Sequence, residues 1–183
     1  MFSIYNYERL FIYMKKKNSN VFISIGSNLN GHMNNSKSTL NIVFNYLINH
    51  GLRVRKASNI YISKPFPSGL GPLFYNRVVL IKSDLNPLEI LYRLKSIEKI
   101  FSNRSKVRNA PRVLDLDIID CRGEIINYKK HLNLPHPKMH NRDFVLKPLY
   151  DISPTWVNPS SGESIKSLLY NCKRSNISVA KLM

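Results

Sequence analysis

Leu88, Leu91, Leu94, Ile97 and Phe101 recur three and four positions apart, and this stripe constrains the fold more than any other feature of the chain. That spacing puts them on one side of an α-helix, which needs a second layer to cover it. Asp84-Leu-Asn-Pro87 just ahead is a helix-start signal, with proline in the first turn where its missing N–H costs nothing. Short β-branched runs supply the second layer and predict strands over 21–25, 54–62, 76–82 and 113–121. Gly26-Ser-Asn reads as the turn that ends the first of these strands. Another helix is expected after it, with Leu40, Val43, Phe44 and Leu47 as its stripe and Gly51 as its stop. The order β, α, β, β, α, β is that of a split βαβ unit, and it predicts an α+β fold, a ferredoxin-like αβα sandwich on a mainly antiparallel sheet. A shaped loop over 64–72, a loop opened by Leu134-Pro-His-Pro137, a short helix near 142–149 and a small strand with a terminal helix around 156–169 complete the expectation.

The 183 residues suffice for one core, and no Gly/Ser/Pro-rich run of linker length divides them. A single domain over 20–183 is expected, with 1–19 as an extension, because Met14 and the three lysines after it look like a translation start. No apolar run reaches the roughly 18 residues of a membrane span. Glu8 and Arg9 interrupt the apolar opening and lysines follow it, the reverse of a secretory signal, so a cytoplasmic protein with no membrane partner is expected; a monomer is expected as well. Cys121 and Cys172 lack ligand spacing and read as reduced, structural thiols. With 28 basic against 11 acidic residues, a net charge of +17 favours anionic partners or simply reflects compositional drift.

Against that excess of cations, RNAPRVLDLDIID places Asp115, Asp117 and Asp120 in a predicted strand. Alternation puts Asp115 and Asp117 on one face, about 6.6–6.8 Å apart, and assigns Asp120 to the face of Leu114, Leu116 and Ile118, outside any shared site. Two adjacent carboxylates repel unless cations lie between them. Mg²⁺, which takes one or two carboxylates plus phosphate oxygens, fits that need, and the basic loop 102–109 with Arg112 can grip the phosphates. A D-x-D pair also occurs in nucleotide-sugar transferases, but their large nucleotide domain does not fit in this chain. A basic RNA-binding module on a ferredoxin-like sheet is the other alternative. It calls for the motif K/R-G-F/Y-G/A-F-V-x-F/Y, which is absent, so no nucleic-acid partner is expected.

The residues 108–119, R-x-A-P-R-x-x-D-L-D-I-I, resemble the signature of 6-hydroxymethyl-7,8-dihydropterin pyrophosphokinase. Four further blocks are similar to that family in order and spacing: Phe22-Ile-Ser-Ile-Gly-Ser-Asn-Leu29, Asn76 after an aromatic, Ile97-Glu98, and Leu134-Pro-His-Pro-Lys-Met-His-Asn-Arg-Asp-Phe-Val-Leu146. The resemblance implies transfer of the βγ-diphosphate of ATP to the pterin hydroxymethyl group, release of AMP, and two Mg²⁺ held by Asp115 and Asp117, within folate biosynthesis. By position it also implies an ATP side of Lys95, Glu98, Arg104, Arg108, Arg112, Ile118, His131, Asn133, His136 and Arg142, with Arg104, Arg108 and Arg112 among the catalytic groups. Ser63, Phe66, Phe74, Asn76 and Phe144 would hold the pterin. Departures from the pattern include Phe74 where tyrosine is common, Lys95 for glutamine, Asn109 for tryptophan, and His131 and Asn133 for an arginine and a threonine.

Overall fold

The computed structural model describes residues 19–28, 36–65, 71–101, 113–128, 131–173 and 179–181. Most of the expected N-terminal extension, the basic loop 102–109, Phe66 and Arg112 lie outside them. The elements run β1 (Asn20–Ser27), α1 (Ser36–Asn49), β2 (Val54–Ala57), β3 (Tyr61–Ser63), β4 (Phe74–Lys82), α2 (Pro87–Phe101), β5 (Asp115–Cys121), β6 (Ile126–Tyr128), β7 (Leu132–Leu134), a 3₁₀ turn (Met139–Asn141), α3 (Asp143–Ile152), α4 (Ile165–Lys173) and β8 (Val179–Lys181).

One antiparallel sheet has the order β5-β1-β4-β3-β8, with β2 beside β3 on the same edge of β4, and β6 pairs β7 separately. Counting β2 and β3 as one broken strand gives the 4-1-3-2 arrangement of a ferredoxin-like fold, as the element order predicts. The predicted strand over 54–62 is broken because Ser58 turns its hydroxyl inward to accept the Val78 N–H at 3.0 Å. The first strand does not stop at Gly26 but continues to Ser27.

Helices cover both faces. Val21, Ile23, Ile25, Val79 and Ile81 pack with Leu40, Val43 and Leu47 of α1 and with Ile90, Leu94 and Ile97 of α2. Phe22, Val78, Leu80 and Ile119 pack with Val145, Leu146 and Leu149 of α3 and with Trp156 and Leu168. Helix α1 ends in a Schellman motif: Leu52 N–H reaches Leu47 O at 2.8 Å and Gly51 N–H reaches Ile48 O at 2.9 Å. Gly51 has φ +74°, and an added Cβ would lie 2.7 Å from Arg93 Nη1, which itself donates to His50 O. The buried stripe of α2 is Pro87, Ile90, Leu94, Ile97 and Glu98, so Leu88, 40% exposed, is off it. On the other face Asp151 pins α3 to β3 and the link before it, accepting from Tyr61 OH at 2.9 Å and from Asn59 Nδ2 at 2.9 Å. Cys121 and Cys172 are buried and form no disulfide.

The parity reading of Asp120 is wrong, and a β-bulge is the reason. The β1–β5 register shifts between Phe22 and Ile23, so Phe22 faces Asp120 and Ile23 faces Ile118, with Ile119 as the extra residue. Asp120 therefore lies on the α3 side, where it accepts from Trp156 Nε1 at 2.7 Å and from Gly123 N–H at 2.9 Å. Burial raises its pKa above the usual carboxylate value, although both hydrogen bonds pull it down. A native pKa above the unfolded one gives stability that is full below the unfolded value and lost as pH rises through the native value. Asp120→Asn is thus expected to flatten the decline in stability as pH rises above the usual carboxylate pKa, read by urea unfolding as a function of pH.

Candidate functional site

The register across β3, β4, β1 and β5 lays the candidate residues out in lateral rows on the face that α3 partly covers. Tyr61, Asn76, Gly26 and Asp115 form one row, and Val78, Ser24 and Asp117 the next. Asp115 and Asp117 are half-buried and share this face, whereas Leu114, Leu116 and Ile118 are buried in the opposite core. The face assigned to the pair is the face observed.

At the Asp117 end, Lys95 Nζ stands 3.8 Å from one carboxylate oxygen and His136 Nε2 stands 4.0 Å from the other. His136 Nδ1 accepts the Lys138 N–H at 3.2 Å, which leaves Nε2 as the N–H that faces Asp117. Burial lowers the His136 pKa and outweighs the opposing pull of Asp117, so the ring is neutral near pH 7. Behind the strand, Glu98 is 6% exposed, and its Oε1 accepts Leu116 N–H at 2.7 Å and Lys95 Nζ at 2.6 Å. Lys95 also donates to Leu116 O at 3.0 Å. Strand β5 is a sheet edge, so one turn of α2 closes both outward backbone groups of the residue between the two aspartates. Burial pushes the Glu98 carboxyl above its usual pKa.

At the other end of the floor, Asn76 and Ser63 are buried and joined by Asn76 Nδ2 donating to Ser63 Oγ at 3.0 Å. Asn76 Oδ1 then points toward Gly26, 3.4 Å from where a Cβ would stand. Phe74 pairs with Ser63, and Phe144 in the first turn of α3 lies under the Arg142 guanidinium at 5.8 Å. Arg142 Nε is buried and without a hydrogen-bond partner among the described residues. Fixed acceptors and aromatic faces of this kind suit a flat heteroaromatic ring.

The expected set is not uniformly placed. Ile118 is 3% exposed in the opposite core, so any nucleotide contact runs through its main chain. His131 is exposed at the β6–β7 turn and Asn133 half-buried on β7. Phe66, Arg104, Arg108 and Arg112 lie outside the described residues.

Gly26 was not singled out as a site residue, yet it is the floor between Asn76 and Asp115; its seat inside a strand rather than at its end was the missing signal. Gly26→Val is expected to abolish turnover by filling that floor while the far-ultraviolet circular dichroism stays that of the parent.

The donor set fits Mg²⁺. Asp115 and Asp117 offer hard oxygens on an accessible face, and among the described residues no third His, Cys, Asp or Glu joins them in a cage. Mg²⁺ uses such a pair with water and substrate phosphates, whereas Zn²⁺ and Ca²⁺ sites take more protein ligands.

Comparison with known proteins gives the same picture from outside. Residues 22–154 match the model of the family described as 7,8-dihydro-6-hydroxymethylpterin-pyrophosphokinase (HPPK). The chain is 40% identical over 159 residues to the folic acid synthesis protein fol1 of Pneumocystis carinii, covering 85% of this chain and 21% of that protein. It is 35% identical over 140 residues to the 2-amino-4-hydroxy-6-hydroxymethyldihydropteridine pyrophosphokinase of Haemophilus influenzae, covering 76% of this chain and 85% of that one. A crystal structure of an HPPK-DHPS in complex with substrates superposes with a TM-score of 0.67 at 15% identity, over 87% of this chain and 44% of that chain, a likeness of fold. The chain thus spans only about a fifth of the fungal protein's length and under half of the HPPK-DHPS chain. Strand order, the paired aspartates and the family match converge: the chain belongs to the 7,8-dihydro-6-hydroxymethylpterin-pyrophosphokinase family.

Proposed function

We propose that this chain transfers the diphosphate of ATP to the hydroxymethyl oxygen of 6-hydroxymethyl-7,8-dihydropterin and releases AMP, a step of folate synthesis. The observation that carries this reading is the common floor: Asp115 shares a lateral row with Gly26 and Asn76, and Asp117 stands in the next row of the same face, so a phosphate donor and a flat acceptor can lie end to end.

In this reading Asn76 Oδ1 accepts from the pterin amide edge, Ser63 and Phe66 contribute main-chain contacts, and Phe74 and Phe144 sandwich the ring. Asp115 and Asp117 would hold two Mg²⁺, which when bound would supply screening of the phosphates and a lowered pKa for the acceptor hydroxyl. The hydroxymethyl group gives up its proton to a carboxylate oxygen of Asp115 or Asp117 as its oxygen attacks the β-phosphorus, the bond from that phosphorus to the α,β-bridging oxygen breaks, and AMP leaves. Arg104, Arg108 and Arg112 offset the charge that passes to AMP. Lys95, Glu98, His131, Asn133, His136, Arg142 and the main chain of Ile118 line the nucleotide side. Neutral His136 donates through Nε2 without adding charge. Positioning supplies most of the rate, as no covalent intermediate is needed.

Work as a monomer in the cytoplasm, with neither nucleic acid nor membrane as partner, belongs to the same proposal. No described helix is long and apolar enough to cross a membrane. Incubation with ATP, Mg²⁺ and the pterin is expected to yield one AMP per pterin consumed. Salt-dependent retention on RNA with no AMP formed would overturn the reading.

A further inference from the structure

Across the sheet from the catalytic floor, a cavity of about 390 Å³ opens between the first turns of α1 and the 57–60 link that joins β2 to β3. That volume suits a small organic ligand. Lys37, Asn41, Ser58, Asn59 and Arg77 supply its polar lining, and no acidic residue is among the lining groups. Arg77 is one step along β4 from Asn76, but it pairs with Ile25 and so lies on the α1 side.

Three contacts hold its guanidinium in place. Nη1 donates to Asn41 Oδ1 at 3.0 Å, Nη2 donates to Ser58 O at 2.8 Å, and the Phe44 ring lies 4.7 Å from Cζ. Arginine carries five N–H donors, so these bonds take up only part of its capacity. Nε is buried without a hydrogen-bond partner among the described residues. Burial lowers the Arg77 pKa, with no carboxylate to oppose it. A partly desolvated cation without a counter-charge is costly to keep, and an anion that enters the cavity relieves that cost. Asn41 Oδ1 is turned toward Arg77, which leaves its Nδ2 as a further donor, and Lys37 brings a second positive charge.

We propose that this cavity binds a small phosphorylated anion between the Arg77 guanidinium and the Lys37 ammonium, as a site separate from the Asp115–Asn76 floor. Asn59 spends its N–H and Nδ2 on Asp151, but two cations and the Asn41 amide, with no carboxylate in the lining itself, match a tetrahedral dianion better than a monovalent carboxylate.

Inorganic phosphate, titrated into the ¹⁵N-labelled full chain at constant ionic strength, tests this. Saturable shifts are expected at the Arg77 Nε–H and at the amides of Asn41, Ser58 and Asn59, with acetate at least about tenfold weaker. Lys37→Gln lies on the exposed first turn of α1 and leaves the core intact. It is expected to weaken phosphate at these signals at least about tenfold while pterin-dependent AMP formation stays within twofold of the parent. Arg77→Met is expected to abolish the amide shifts, with the fold checked by the unchanged signals of β1. Shifts that do not saturate, that acetate reproduces at equal concentration, or that persist unchanged in Lys37→Gln overturn the proposal.

Discussion

Asp117→Asn is expected to cut pterin-dependent AMP formation at least about a thousandfold, near 4 kcal/mol of transition-state stabilisation, with Asp115→Asn close behind. Both carboxylates are half-buried on an accessible face, so the substitution removes charge and little packing. Asparagine keeps the shape and one oxygen, but it is a poor ligand for a hard divalent cation. The deficit should fall on kcat and on the Mg²⁺ requirement together, since what is lost is charge neutralisation of the transferring phosphates. Thermal unfolding of metal-free protein should move little, because among the described residues Asp117 pairs with Lys95 at 3.8 Å and His136 at 4.0 Å, and such long, partly exposed pairs contribute under about 1 kcal/mol. A large drop in stability beside the loss of activity would place these aspartates in the scaffold rather than at the phosphates.

Glu98→Ala is expected to reverse that pattern and lower stability by about 2–4 kcal/mol, with activity falling as a consequence. Leu116 is fully buried, and its N–H points away from β1 toward Glu98 Oε1. Removal of that oxygen strands a buried donor at the sheet edge, and Lys95 loses its nearest anion and turns to Asp117. Glu98→Gln retains an acceptor for Leu116 N–H and gives up only the ion pair, so a loss of about 1 kcal/mol is expected. Urea unfolding of the two variants separates the cases; equal destabilisation would mean that the charge, not the hydrogen bond, holds β5.

The residues that sequence pattern made legible are those governed by short-range periodicity. The α2 helix announced itself through its three-and-four spacing, and the face shared by Asp115 and Asp117 followed from strand alternation. Alternation failed three residues further on, at Asp120, because a single inserted residue resets it and nothing in the letters I-I-D marks the insertion. Gly26 looked like punctuation, since a glycine in a strand and one at its end read alike until the partner strands are in place. Glu98 was matched by resemblance to a nucleotide role, yet its structural task, closing an edge amide, depends on where α2 lies against β5. The strands β6, β7 and β8 have three residues each, too few for periodicity to register, and they exist only because a neighbour offers them an edge. The candidate pterin residues Ser63 and Asn76 come together through the β3–β4 register, a long-range fact that no local window contains.

Counting Mn²⁺, as a paramagnetic stand-in for Mg²⁺, by water-proton relaxation in the presence of a non-hydrolysable ATP analogue tests the central claim most directly. Two equivalents per chain are expected in the parent, falling to one or none with at least about tenfold weaker binding in Asp115→Asn and Asp117→Asn. Unchanged stoichiometry and affinity in both variants would contradict the claim that these two carboxylates form the metal site.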